Sequence, residues 1–311
     1  MPEPARRRRP AGILIALCSA LLGAAILWHA QVPDLLGLAL LLEAVLPWLG
    51  VPIALLLLAA LFRRAWFGIL MSLAAVAAWS IVFTPRVLPL EPVSGSGAAA
   101  ITVLSQNLHG VDGSPEKSAR AAIGQQADIV AFEEVDAAAR GTVDEVLGGA
   151  YPHAVRVGTV SLWSRFPLSN LEPLDLGLGW KRALRVTAET PSGPVRVYAV
   201  HAASARIGAH EERDRMLDEL RQEIQQDGAS RIIAMGDFNA GTDDRAFAPL
   251  LELLREPRDS SWGFGFTWPA EFPFVRLDHV LERGFDPRAM RTVELGDSDH
   301  LAVVATLRPS V

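Results

Sequence analysis

The chain has 311 residues, of which 50% are hydrophobic, and its 29 Lys and Arg against 35 Asp and Glu give a net charge of −6. That hydrophobic fraction is high for a protein that lies entirely in water, and most charged residues come before residue 10 or after residue 85. Residues 97–311 carry 22 basic and 31 acidic side chains (22 − 31 = −9), which disfavours nonspecific nucleic-acid binding as the main activity.

Three apolar stretches predict a membrane domain over residues 11–83, with transmembrane helices at about residues 11–30, 44–62 and 65–83. At about 1.5 Å per residue, each can cross about 30 Å of hydrocarbon. A cleaved signal peptide is the alternative interpretation of the first stretch, and it would also export the rest of the chain. Glu43 precedes the second span, where we expect a solvated carboxylate at the membrane interface.

The distribution of arginines predicts the orientation of these spans. Arginines fill residues 6–9 and the turn at residues 63–64, whereas residues 31–43 contain none. By the positive-inside rule, the basic N-terminus at residues 1–10 is cytoplasmic. We therefore expect a multi-pass protein of the cell membrane whose C-terminal domain, residues 101–311, lies outside after a Pro-, Gly- and Ser-rich linker at residues 84–100.

Short apolar and β-branched runs mix with helix-like stretches in the C-terminal domain. Strands are predicted at residues 101–105, 129–132, 160–163, 195–200, 231–235, 277–281 and 301–307. Helices are predicted at residues 118–126 and 210–226, and in the second one Leu217, Leu220 and Ile224 share a face. Strands and helices without strict alternation indicate an α+β domain with sheets packed face to face.

Polar residues stand at the ends of several predicted strands, where side chains meet at the rim of a sheet. In chain order they are Asn107, Glu134, His201, Asp237, Asn239, Asp278, Asp299 and His300. This ordered set, with the LWSRFPL run at residues 162–168, resembles the endonuclease/exonuclease/phosphatase superfamily, also called the DNase I-like family. The resemblance covers residues 101–307. It implies a four-layer α/β/β/α sandwich, two face-to-face sheets flanked by helices, that hydrolyses phosphate esters.

The residue types agree with that chemistry. Asn107, Glu134 and Asp299 offer oxygen ligands, which suit Mg²⁺ or Mn²⁺ better than zinc. Such a cation would hold a phosphate oxygen and offset the charge that develops on it. Asp237 is the carboxylate that we assign to positioning and deprotonating an attacking water, while Asn239 orients the water or the phosphate.

The resemblance also implies roles for three further residues and reveals two departures. His300 matches the histidine that contacts the scissile phosphate, Asp278 matches the aspartate that holds it, and His201 matches a histidine near the phosphate and leaving group. Position 133 is Glu where Gln is frequent, which places an extra charge that either strengthens metal binding or is solvated. Position 109 is His where some DNA-repair members have a metal-linked Asp.

A compact basic cluster, Lys181, Arg182 and Arg185, is a candidate ligand for a second substrate phosphate. A solvated strand edge is the alternative interpretation of the cluster. His279, beside Asp278, is predicted to be structural.

These observations favour a membrane-anchored, metal-dependent phosphoesterase acting on lipid-linked or head-group phosphates. The expected partners are the lipid bilayer and a phosphate-ester substrate, without a stable nucleic-acid partner, and the oligomeric state stays open. Three spans before such a domain also resemble actinobacterial membrane proteins associated with teicoplanin resistance, which implies undecaprenyl-linked phosphates. An extracellular nuclease and a catalytically silent, membrane-tethered binding module are the alternatives.

Overall fold

The structure is a computed structural model of the chain. It describes residues 8–89, 99–110, 113–257, 260 and 262–310, with the backbone alone for residues 8–10, 287 and 288. The chain divides into two compact units, residues 1–87 and 88–311. Parts of the predicted N-terminal segment and linker lie outside the described residues, so the predicted domain boundaries stay predictions.

The first unit is helical. Its described helices are α1 (Arg8–Trp28), α2 (Leu38–Val45), α3 (Gly50–Arg63) and α4 (Trp66–Val87). Within the residues that the structure describes, three stretches are long and apolar enough to cross a membrane: Ala11–Gln31, Leu38–Arg63 and Trp66–Val87.

The second of these stretches differs from its prediction. It starts before residue 44 because helical structure begins at Leu38 and continues through the 3₁₀ turn Leu46–Leu49 into α3. Glu43 therefore lies inside a helix and is 4% exposed. The expectation that Glu43 is solvated is wrong.

The second unit contains two β-sheets. Among the described residues, sheet A has the strand order β10-β11-β1-β2-β4-β3 and sheet B the order β5-β6-β7-β8-β9. The strands are β1 (Ile101–Asn107), β2 (Ile129–Glu133), β3 (His153–Val157), β4 (Val160–Ser164), β5 (Leu168–Leu174), β6 (Ala183–Thr190), β7 (Gly193–His201), β8 (Ile232–Asp237), β9 (Asp278–Arg283), β10 (Phe285–Val293) and β11 (Ala302–Pro309).

Helices cover the outer face of each sheet. They are α5 (Pro115–Gly124), α6 (Ala139–Gly148), α7 (Glu211–Gln226) and α8 (Ala248–Leu253). Val103 of sheet A and Val197 of sheet B belong to one buried cluster between the sheets. Val143 of α6 packs against the other face of sheet A, and Leu217 of α7 against the other face of sheet B. The predicted four-layer α/β/β/α sandwich is confirmed.

Helix α7 shows how the sequence specifies one of these layers. Leu217, Leu220 and Ile224 are fully buried, as their helical spacing predicts. Burying each such side chain stabilises the fold by about 1.5–3 kcal/mol. Glu211 and Asp214 lie in the first turn, where acidic side chains interact favourably with the helix dipole.

Candidate active site

Strand pairing brings the predicted polar residues together at one edge of each sheet. In sheet B, β7 pairs in parallel with β8 and places His201 opposite Asp237. The antiparallel pair of β8 with β9 places Asp237 opposite Asp278. In sheet A, the parallel pair of β1 with β2 places Asn107 opposite Glu133.

Asp237 lies at the centre of the site and is 1% exposed. Its Oδ2 accepts a hydrogen bond from Nδ2 of Asn107 at 3.0 Å, and its Oδ1 accepts one from the backbone N–H of Asn239 at 2.8 Å. Burial, and secondarily the negative charge of Asp278, raises the pKa of Asp237 to about 6. A carboxyl group with this pKa can act as a general base near neutral pH.

Asn239 holds an unusual backbone conformation with φ at +48°. Asn tolerates this left-handed region better than most residues because its short polar side chain can bond locally. Here Nδ2 of Asn239 donates to the carbonyl oxygen of Ala202 at 3.1 Å and to Oδ2 of Asp237 at 3.2 Å. The turn thereby holds the Asn239 side chain against the Asp237 carboxylate.

His300 and Asp278 form a buried pair in which Nδ1 of His300 lies 2.8 Å from Oδ2 of Asp278. Burial lowers the pKa of His300, but the Asp278 carboxylate outweighs that effect and raises it to about 10. The imidazole is therefore a cation at neutral pH. Ligand-capable atoms of Asp237, Asp278 and His300 all lie within 4.8 Å of one another.

His201 faces the same centre from β7. Its Nε2 lies 3.6 Å from Oε1 of Glu134 and 4.0 Å from Oδ2 of Asp237. Burial, followed by the positive charges of Arg182 and His300, holds the pKa of His201 well below its usual value. The ring is thus neutral and can accept a hydrogen bond from Nη2 of Arg182, which lies 2.6 Å from its Nε2.

The predicted basic cluster does not stay together. Arg182 contacts His201, and Lys181 beside it is exposed. Arg185 instead pairs with Glu172 and with Glu223, the latter at 3.2 Å. Arg185 lies on β6, where successive side chains point to opposite faces, and its own side chain faces helix α7. It therefore points away from the site that Arg182 contacts.

The predicted metal ligands are linked through Asn107. Its Nδ2 donates to Oε1 of Glu134 at 3.2 Å, and its Oδ1 accepts from the backbone N–H of His109 at 3.0 Å. Nδ1 of His109 lies 2.5 Å from Oδ1 of Asp299. These oxygen donors fit a hard divalent cation such as Mg²⁺. Their assignment as ligands stays a prediction.

The two departures at positions 133 and 109 have different outcomes. Glu133 is fully buried, and its Oε1 accepts a hydrogen bond from Ser105 at 3.1 Å. Burial, then Asp278 and Asp237, raises the pKa of Glu133 well above its usual value, and because the side chain is buried the solvated alternative is wrong. His109 contacts the predicted ligand Asp299.

Two supporting residues, Ser298 and Trp268, had no role assigned to them from the sequence. Ser298 donates to the carbonyl oxygen of Asn107 at 2.6 Å, and its Oγ accepts from the backbone N–H of His300 at 3.0 Å. Nε1 of Trp268 donates to Oδ2 of Asp299 at 3.2 Å. Their nearness in sequence to Asp278, Asp299 and His300 was the available signal.

The comparison with protein families agrees with this geometry. A model of the Endonuclease/Exonuclease/phosphatase family matches residues 104–300. We call Asp237, Asp278 and His300 the edge cluster. A two-sheet sandwich with such a cluster defines a class of phosphate-ester hydrolases. The chain belongs to the endonuclease/exonuclease/phosphatase family. A search of the curated proteins gave no match.

Solved structures share the fold of the second unit. An endonuclease/exonuclease/phosphatase family protein from Bacteroides thetaiotaomicron is 16% identical, with a TM-score of 0.57 over 68% of this chain and 98% of that one. Sphingomyelinase C from Streptomyces griseocarneus is 18% identical, with a TM-score of 0.50 over 67% and 99%. A Staphylococcus aureus beta toxin variant with bound magnesium ions is 16% identical, with a TM-score of 0.51 over 68% and 100%.

Proposed function

We propose that the protein is a membrane-anchored, divalent-metal-dependent phosphoesterase that hydrolyses lipid-linked or head-group phosphates outside the cell. The observation that carries this proposal is the buried cluster of Asp237, Asp278 and His300 within 4.8 Å. In it a carboxyl group with a pKa of about 6 lies beside a histidine with a pKa of about 10. At neutral pH the first can accept a proton and the second can donate a hydrogen bond.

Each residue of the site has its own role in the proposed hydrolysis. Asp237 accepts the proton of the attacking water, and Asn239 orients that water. His300, held by Asp278, donates to the phosphate as negative charge develops on it. His201 and Arg182 contact the phosphate from the opposite side. Asn107, Glu134 and Asp299 would hold Mg²⁺, or Mn²⁺, and a bound cation supplies electrostatic stabilisation of the phosphate oxygens.

Three features support a substrate at a membrane. The described part of the chain contains three helices apolar enough to anchor it, and the arginines of the first unit favour an external second unit. The exposed rings of Trp180 and Trp268 belong to residues that touch the site, through Arg182 and Asp299 respectively. Tryptophan is favoured where an apolar phase meets water. A sphingomyelinase is among the proteins with a similar fold.

The proposal is tested with the full chain in lipid nanodiscs. Phosphodiester, phosphomonoester, polyprenyl-pyrophosphate and DNA substrates are compared with Mg²⁺, with Mn²⁺ and with EDTA. We expect metal-dependent hydrolysis of the lipid-linked substrates. Preferred cleavage of DNA would indicate the nuclease alternative, and no cleavage of any substrate would indicate a binding module.

The variant Asp237→Asn distinguishes the chemical step from metal binding. It keeps the shape of the side chain but removes the base, so turnover should fall by roughly 10² or more. Binding of Mn²⁺, followed by its electron paramagnetic resonance, should persist. Unchanged turnover would show that Asp237 is not the base.

External location of the second unit has its own test. A membrane-impermeant protease added to intact spheroplasts should remove the second unit. Cleavage after lysis alone would contradict the proposed orientation.

A further inference from the structure

Arg213, on the first turns of α7, is a buried cation outside the predicted catalytic set. Its side chain is 1% exposed although arginine is almost never fully buried without partners. Nη1 donates to Oδ2 of Asp244 at 2.6 Å and to the carbonyl oxygen of Asn239 at 2.8 Å. Nε donates to Oδ1 of Asp214 at 2.7 Å. One guanidinium therefore connects the start of α7 to the turn that carries the proposed base.

The contact with Asn239 bears on the catalytic geometry. The backbone of Asn239 has φ at +48°, a conformation that costs free energy for a residue with a side chain. Its N–H is bonded to Asp237, and its carbonyl oxygen is bonded to Arg213. With both peptide groups held, neither φ nor ψ of Asn239 can relax without breaking a hydrogen bond. The N–H and the side-chain amide of Asn239 thus stay aimed at the Asp237 carboxylate.

We infer that Arg213 is a positioning residue that sets the orientation of Asp237 and Asn239 for attack on the phosphate. The inference rests on the proposed function, because it concerns the rate of that reaction. Lysine cannot replace arginine here, since a single ammonium cannot present a rigid fork to three acceptors at different angles. Arg213 does not contact the phosphate, so it acts on turnover and leaves substrate binding intact.

The central test compares Arg213→Lys with Arg221→Lys, a substitution at a more exposed arginine of the same helix. Both variants of the full chain, in nanodiscs with Mn²⁺, are assayed on bis(p-nitrophenyl) phosphate. We expect kcat of Arg213→Lys to fall by about 10–100-fold, as for other residues that orient catalytic groups, while KM and the affinity for Mn²⁺ stay within about twofold. Arg221→Lys should behave as the wild type does.

Chemical rescue covers the case in which the change also disturbs the fold. Arg213→Ala should recover part of its kcat with methylguanidinium and none with methylammonium, because the planar fork restores the contact with the Asn239 carbonyl. A purely structural role would leave kcat per folded molecule unaffected by either compound. If Arg213→Lys keeps wild-type kcat, or if both compounds fail, the inference is overturned. An inactive wild-type protein would instead overturn the proposed function.

Discussion

Two neighbouring residues of β9, Asp278 and His279, belong to two histidine–carboxylate pairs with different surroundings. Successive strand residues point to opposite faces of the sheet, so each pair lies on its own side. Asp278 meets His300 at the edge cluster. His279 meets Glu256 and contacts the rings of Phe238 and Phe247.

The pairs differ in how many atoms are left without a partner. Nδ1 of His279 contacts Glu256, and its Nε2 donates to the carbonyl oxygen of Ala240 at 2.8 Å. Glu256 is further bonded by Thr242 at 3.0 Å and paired with Arg276 at 3.3 Å. Among the described residues, no hydrogen bond reaches Oδ1 of Asp278. The His279 pair is therefore fully bonded within the protein, whereas the His300 pair keeps a carboxylate oxygen without a protein partner among the described residues.

The largest expected effect comes from breaking the fully bonded pair with Glu256→Ala. The change leaves Arg276 buried without its carboxylate, and breaking a buried ion pair costs about 3–5 kcal/mol. Denaturant unfolding should show this loss, while kcat per folded molecule stays unchanged. Glu116→Ala is the control, because its exposed pair with Arg120 is worth about 0.3–0.5 kcal/mol. If Glu256→Ala lost kcat without losing stability, the pair of His279 with Glu256 would serve catalysis and not the stability of the fold.

The pair at the edge cluster should respond mainly through activity. His300→Ala removes a donor to the developing charge, so kcat per folded molecule should fall by about 10²–10³-fold. It also leaves the buried Asp278 carboxylate without its cation, so a loss of stability should accompany the loss of kcat. Asp278→Asn should cause part of the same loss, because it weakens the orientation and charge of the imidazole.

The double variant of these two residues sharpens the comparison. If Asp278 acts through His300, the loss of kcat in the double variant should be close to that of His300→Ala alone. Steady-state kinetics of the four proteins complete the cycle. Losses that multiply would show that the two side chains act independently.

The sequence predicted the pair of Asp278 with His300 but not the pair of His279 with Glu256. The difference has a physical reason. Asp278 and His300 stand at strand ends, and strand ends converge at a sheet edge whatever the loops do. Glu256 and Arg213 lie outside the strands, and contacts such as Glu256 with Arg276 and Arg213 with Asn239 depend on how the connecting loops fold. Spacing alone does not report such tertiary contacts.

The fold, like the candidate site, was predictable in part from the sequence. Regular β-branched runs such as residues 195–200 and 231–235 coincide with β7 and β8. Strands β3, β5, β6 and β10 were missed. In β5 and β10 the period-2 pattern is interrupted. β5 has a register shift around Asn170, whose φ is +52°, and β10 has one at Pro287. The four-layer architecture was predicted despite these omissions because it followed from the family resemblance, which rests on the polar residues at the strand ends.

The smallest expected effect is the contribution of Glu256 to the pH dependence of stability. Burial raises the pKa of Glu256, but Arg276 and then His279 outweigh that effect and lower it from 4.5 to about 2. A carboxyl group whose pKa is depressed in the folded state stabilises the fold above its unfolded pKa. That stabilisation is lost as the pH falls from about 4.5 through about 2. Glu256→Gln has no such group, so the difference in unfolding free energy between wild type and variant should be constant above pH 5 and shrink below it. Urea unfolding in EDTA at pH 3 and pH 7 measures that difference. A difference that is equal at both pH values would show that the Glu256 carboxylate is not held in its charged form by these partners.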